Sequence, residues 1–251
     1  MIDSHIHADT RPYEDFEMMA ISGIEKAITC AHDPLPMKSA VVTLEHISRL
    51  QKLDVKRAQE NGIDLYVAAG IHPRAIPTDY EKVINKLPSI LNNPKVVAIG
   101  EIGLEKGSKE ELKIFKEQIK LADKLKVPVI IHTPRKNKEK VIDTILSLLS
   151  ENLDESLAVI DHIDDKVVDK VVDRECMLGL TIQPGKLTID KAITILEEYG
   201  VDKFMLNSDM SSAPSDPLSV PKTVHKMRLK DFNDSEIAKV SYKNAEKFFK
   251  L

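Results

Sequence analysis

The sequence predicts an α/β fold, a (β/α)8 or TIM barrel, and three observations predict it. Eight short β-rich runs alternate with charged stretches whose apolar residues recur at helical spacing. The runs are almost continuously apolar, as strands buried on both faces of a parallel sheet are. At 251 residues the chain has the length of one such barrel, and no Gly/Ser linker, composition break or low-complexity segment divides it. Residues 1–251 are therefore expected to form one domain.

The runs are "MIDSHIH" (1–7), "IEKAITCAH" (24–32), "DLYVAAGIH" (64–72) and "KVVAIGEIG" (95–103), then "VPVIIH" (127–132), "LAVIDHI" (157–163), "CMLGLTIQ" (176–183) and "KFMLNSD" (203–209). Between the fourth and fifth, "SKEELKIFKEQIKLADKLK" puts Leu112, Phe115, Ile119 and Leu125 near one helical face. "IDKAITILEEYG" reads as a helix that stops at Gly200. A helix over about 234–249, "DSEIAKVSYKNAEKFF", closes the chain.

Composition excludes several classes of function. The net charge of −4 argues against a protein that coats DNA nonspecifically, though a local basic rim is compatible with it. Aromatic residues are 4% and tryptophan is absent, so platforms for stacking many bases are not expected. Cys30 and Cys176 lie in apolar stretches and read as buried free thiols of a reducing compartment. No apolar run approaches a membrane span, and Asp3 and His5 break any signal-peptide pattern, which points to the cytoplasm. No obligate protein partner is evident. The excess of Lys over Arg, with abundant Glu and Ile, fits a thermophile and an AT-rich genome equally.

Polar residues should be rare in barrel strands, so their positions carry information. Six of the eight histidines, His5, His7, His32, His72, His132 and His162, fall at a predicted strand or its C-terminal end, the active-site face of this fold. His46 and His225 fall in predicted helices and read as surface residues. His5 and His7 share a strand face about 6–7 Å apart, a spacing that lets two imidazoles converge on one cation; the alternative is that both are solvated. Glu101 interrupts "VVAIGEIGL" and Asp209 ends the last strand, and a buried carboxylate there requires a cation or hydrogen-bond donors. A plain salt bridge would also serve.

His5, His7, Glu101, His132, His162 and Asp209 exceed the needs of one tetrahedral zinc. They suit two divalent ions about 3.5–4 Å apart with Glu101 between them. Mixed imidazole and carboxylate ligation favours Zn²⁺ or Mn²⁺. Two such ions, two carboxylates and a hydroxide leave a charge of about +1, suited to an anionic phosphoester attacked by that hydroxide. Arg74 in "PRA" and Arg135 and Lys136 in "TPRKNKEK" stand at the same face, where they could bind phosphate or carboxylate; the alternative is a solvated helix start.

Five blocks, in order over nearly the whole chain, carry a resemblance. "MIDSHIHAD" is similar to an opening D-[ST]-H-x-H, "GIHPRA" to G-x-H-P, and "AIGEIGL" to G-E-I-G-L. "FKEQIKLADKLKVPVIIH" follows the run into a strand-5 histidine, and "SYKNAEKFF" a closing helix around Asn244. Together they resemble the TatD family of metal-dependent hydrolases, TIM barrels that include Mg²⁺-dependent deoxyribonucleases. The resemblance implies that His5, His7, Glu101 and Asp209 hold one metal and Glu101, His132 and His162 the other. It further implies that Asp209 orients the attacking water or takes its proton, that His72 faces the scissile phosphate, and that Mg²⁺ is a possible metal.

The chain departs from the family pattern around those residues. Glu105 stands where the family has Asp, Arg135 lies one position late behind Pro134, and Asn207, Ser208, Met210 and Ser211 flank Asp209 in place of E-T-D-x-P. The expected function is thus hydrolysis of a phosphodiester, with a short or single-stranded nucleic acid as substrate. An amidohydrolase-type esterase, amidase or aminoacyl-ester deacylase could use the same centre, although Glu101 takes the strand-4 position where many of those enzymes place a carboxylated lysine. A metal-binding module without catalysis is the third alternative.

Overall fold

The eight runs become eight parallel strands in sequence order: β1 (Ile2–Ile6), β2 (Lys26–Thr29), β3 (Asp64–Ala68), β4 (Val96–Gly103), β5 (Val129–His132), β6 (Ala158–Ile160), β7 (Met177–Thr181) and β8 (Phe204–Asn207). The structure is a computed structural model and describes residues 1–31 and 37–251, so His32 lies outside the described residues. Every neighbouring pair from β1·β2 to β7·β8 is hydrogen-bonded. The ring closes just beyond β8, where Ile6 bridges Met210, His7 N donates to Met210 O at 2.8 Å and Asp209 N donates to His5 O at 2.9 Å. Closure thus runs through the residues that carry the candidate site.

Period-two alternation divides the apolar residues into two layers. Ile2, Ile28, Ala68, Ala98, Ile130, Val159 and Met205 pack together with Ala245 and Phe249 of the closing helix. A larger cluster, including Ile99, Phe115, Ile131, Ile142, Ile160 and Phe204, fills the space between strands and helices. Two residues further along the strands, the alternation of Ile130, Val159 and Met205 leads to His132, Asp161 and Asn207, all buried. The barrel interior is therefore oily at its base and polar at its top.

The helix Lys109–Leu125 forms as expected, capped by Ser108, whose side chain accepts from Glu111 N. Its buried face is Ile114, Phe115, Gln118, Ile119 and Ala122. Leu125 is exposed, which corrects its assignment to that face: it sits at the last turn, past the packed stripe. The helix Ile189–Tyr199 stops at Gly200, whose φ of +76° suits a residue without Cβ. His46 is not the surface residue its helix suggested; its Nε2 lies 2.6 Å from Asp9 Oδ2 and the side chain is largely covered. His225 is exposed. Cys30 and Cys176 are both buried and free. No helix among the described residues is long and apolar enough to cross a membrane.

The closing segment is helical from Asp234 to Phe249, with a wider π turn over Lys239–Lys243. Asn244 ties it to β8, its Nδ2 donating to Val201 O at 2.9 Å and Phe204 O at 2.8 Å. Asn244→Ala removes both of these hydrogen bonds, leaving Val201 O with the longer bond from Phe204 N at 3.4 Å, and is expected to cost about 1–3 kcal/mol, read as a lower urea midpoint with unchanged slope.

Candidate metal centre

Seven side chains that the sequence singled out meet at the polar end of the barrel, and all are buried. His5 and Glu101 come from β1 and β4, and His132 is the last residue of β5. His7, His72, His162 and Asp209 lie just past the ends of their strands, which are shorter than the apolar runs suggest. His162 and Asp209 have φ of +62° and +44°, left-handed positions that turn their side chains against the strand alternation. The Gly100–Glu101 peptide is cis.

The Glu101 carboxylate is divided between two groups of imidazoles. Its Oε1 lies 2.8 Å from His132 Nδ1 and 3.1 Å from His162 Nε2. Its Oε2 lies 3.4 Å from His5 Nε2, 3.5 Å from His72 Nε2 and 3.9 Å from His7 Nε2. Asp209 Oδ1 joins the second group, 3.1 Å from His7 Nε2 and 3.9 Å from His5 Nε2. The donor atoms fall into three compact groups, His5–His7–Asp209, His5–Glu101–His162 and His72–Glu101–His132.

Each of three histidines is held from behind by an acceptor on its other nitrogen. His5 Nδ1 donates to Asp161 Oδ2 at 2.6 Å, His132 Nε2 faces Glu105 Oε2 at 2.8 Å, and His7 Nδ1 faces the Cys30 carbonyl at 3.1 Å. Such outer partners fix the tautomer and aim a lone pair at a cation. His72 is arranged the other way round: its Nδ1 accepts from Arg74 N at 3.1 Å, so the proton sits on Nε2. His162 Nδ1 lies 2.7 Å from Thr181 Oγ1 and 3.1 Å from Lys186 Nζ. Lys186 can only donate, so Nδ1 accepts in this arrangement and the proton of neutral His162 sits on Nε2, facing Glu101 Oε1; presenting a lone pair there requires that proton to move to Nδ1, where Thr181 Oγ1 can accept it.

Two of these groups were missed by sequence reasoning. Asp161 precedes His162, and adjacent strand residues normally face opposite ways; only the positive φ at His162 lets both point inward. The alternation from Val159 to Asp161 was the available signal. Lys186 lies in the turn after β7 and forms an ion pair with Asp209 Oδ2. Nothing in its local sequence marks it.

The electrostatics suit a cation. Burial works against ionised Glu101, but His5, His72 and His132 outweigh it and hold its pKa well below the usual carboxylate range. Burial likewise opposes ionised Asp209, and Lys186 and His7 prevail. Burial and Lys186 together keep His162 neutral, its pKa well below the ordinary value. Burial disfavours charged His5, yet Cys30, Glu101 and Asp161 raise its pKa well above normal. The carboxylates select positive charge at this point, whether a proton or a metal ion supplies it. His5 Nε2 is buried without a hydrogen-bond partner while it faces both Glu101 and Asp209. A lone pair aimed between two carboxylates is what a divalent ion requires, so the residues present fit one.

The centre opens to a cavity of about 670 Å³ with Arg74, Arg135, Lys136 and Lys186 on its wall. The two arginines expected at this face therefore border the same space as His132 and Asp209.

The family model for TatD-related DNases matches residues 2–250. The chain belongs to the TatD-related DNase family. It is 44% identical, over all of both chains, to an uncharacterized metal-dependent hydrolase of Methanocaldococcus jannaschii. The structure of a TatD-like protein from Archaeoglobus fulgidus superposes with a TM-score of 0.86 at 32% identity, covering all of both chains. A phosphotriesterase homology protein from Escherichia coli shares the fold at a TM-score of 0.73 and 14% identity, over 99% of this chain and 98% of that one. The eight parallel strands expected from the apolar runs thus form the barrel of a chain of this family.

Proposed function

We propose that this TatD-family chain is a metal-dependent hydrolase of phosphodiesters, with two divalent ions on either side of Glu101. The division of the Glu101 carboxylate carries this reading: Oε1 faces His132 and His162, Oε2 faces His5, His7 and His72. A bridging carboxylate needs one oxygen, backed by its own donor set, for each of two cations. In this assignment His5, His7 and Asp209 join Oε2, and His132 and His162 join Oε1. His72, with its proton on Nε2, faces substrate instead of metal.

Bound ions of this kind polarise a phosphoryl oxygen and bring the pKa of a water near neutrality. The chain's own groups supply the rest. Asp209 keeps Oδ1 towards His7 while Lys186 holds Oδ2, which aims the carboxylate to orient the attacking water or take its proton. His72 Nε2–H donates to a non-bridging oxygen of the cleaved phosphate, Arg74 neutralises its charge, and Arg135 meets the substrate elsewhere on the cavity wall. Zn²⁺ or Mn²⁺ suits the mixed donors, and Mg²⁺ is supported by the family. A short or single-stranded nucleic acid is the substrate class, because only a modest set of basic groups, Arg74, Arg135, Lys136 and Lys186, borders the cavity and aromatic residues are few.

Elemental analysis of protein loaded with each ion is expected to give about two metals per chain, with turnover of bis-p-nitrophenyl phosphate. Metal without phosphodiester turnover would move the substrate to an ester, amide or aminoacyl bond. No metal under any loading condition overturns the reading.

A further inference from the structure

Two cavities share a wall formed by Arg135, His162 and Lys186. One is the space in front of Glu101; the other, of about 160 Å³, lies on the far side of His162. The carboxylates of the smaller cavity are consumed locally, Asp164 by Lys138 at 2.7 Å and Asp165 by Lys191 at 2.8 Å. Its uncompensated charge is that of Arg135 and Lys166, so the second cavity is positive.

The turn after β7 builds the shared wall. Gln183 Oε1 accepts from Arg135 Nη2 at 2.6 Å, and Gln183 Nε2 donates to the Asp209 carbonyl. Gly185 passes beside Arg135, where a Cβ would lie 3.4 Å from Nη1, and its φ of +81° turns the chain to place Lys186. Lys186 Nζ is nearly covered, and Asp209 and His162 use two of its three N–H donors. Across the same imidazole, His162 Nε2 lies 3.1 Å from Glu101 Oε1. One ring therefore separates this pair of cations from the bridging carboxylate.

We propose that Arg135 and Lys186 form a second anion subsite, which takes a phosphate group neighbouring the one cleaved at Glu101. The preferred ligand accordingly carries two adjacent phosphates. This inference rests on the phosphodiester reading above and names the substrate feature that the site selects. A tetrahedral phosphate suits this wall better than a carboxylate, because its donors come from two different turns that border the same cavities, the guanidinium fork after β5 and the ammonium after β7. A planar carboxylate would be satisfied by the arginine alone.

The test is calorimetric titration of metal-loaded protein with thymidine 3′,5′-bisphosphate, thymidine 3′-phosphate and thymidine 5′-phosphate. Wild type is expected to bind the bisphosphate at least about tenfold more tightly than either monophosphate. Arg135→Gln and Lys186→Met should each erase that preference. Arg135 is exposed and its replacement leaves the core intact, so it decides the matter if Lys186→Met fails to fold. Equal binding of all three nucleotides by wild type, or an undiminished preference in Arg135→Gln, overturns the subsite. A bisphosphate preference without turnover of bis-p-nitrophenyl phosphate keeps the subsite and removes the phosphodiesterase reading; turnover without the preference does the reverse.

Discussion

Glu101→Gln is expected to empty the centre of metal and abolish hydrolysis. Loss of a partner behind a metal ligand typically weakens binding about 10- to 100-fold, and loss of a shared ligand should exceed that at both positions. Glutamine keeps the shape of the side chain but removes its charge and replaces one oxygen by an amide donor. Whichever way the amide settles, one set of imidazoles, His132 with His162 or His5 with His7, faces an N–H where it had an anionic oxygen. Without that charge, two divalent ions would be left with Asp209 as the one carboxylate in the proposed ligand set. Elemental analysis and bis-p-nitrophenyl phosphate turnover, measured on the same preparation, check this. Retention of two metals by Glu101→Gln would show that Glu101 does not bridge.

The parts of the site that were legible in the sequence are those governed by strand alternation and by the cost of burying charge. His5 and Glu101 stand inside apolar runs, and a polar group there is conspicuous because burial without a partner is expensive. The eight strands were legible for a related reason, since parallel strands covered on both faces leave little room for polar residues. Strand ends were less legible. His162 and Asp209 reach the centre through positive φ values, and nothing in a non-glycine residue type announces those. Lys186 was illegible because the turn conformation, held by Gln183, places it. Glu105, first seen only as a departure from the family pattern, supports His132 from behind.

Asp161→Ala is expected to weaken metal binding at the His5 position by about 10- to 100-fold while the fold survives. Asp161 is fully buried, its Oδ2 accepts from His5 Nδ1 at 2.6 Å, and its Oδ1 accepts from Asn207 Nδ2 at 3.2 Å. Without it the His5 ring loses the contact that directs Nε2 towards Glu101. Asp161→Asn retains an acceptor oxygen and should recover most of the affinity, which separates orientation from simple packing. Gly179 supplies an independent approach to the same carboxylate. A Cβ at Gly179 would collide with Asp161 Oδ1, lie 2.8 Å from its Cγ and approach Asn207 Nδ2 at 3.0 Å. Gly179→Ala should therefore push Asp161 off His5 and reproduce the metal defect, with an overpacking cost of about 1–3 kcal/mol. In an Asp161→Ala background the obstructed carboxylate is gone, so adding Gly179→Ala should weaken metal binding little further, leaving only the 3.0 Å approach to Asn207 Nδ2 as a packing cost. Residues in contact couple in this way, and distant ones add. Competition titration with a chelator, together with the visible spectrum of the Co²⁺-loaded protein, reads the four members of the cycle. Strict additivity of the two changes would mean that Gly179 makes room for something other than the Asp161–His5 pair.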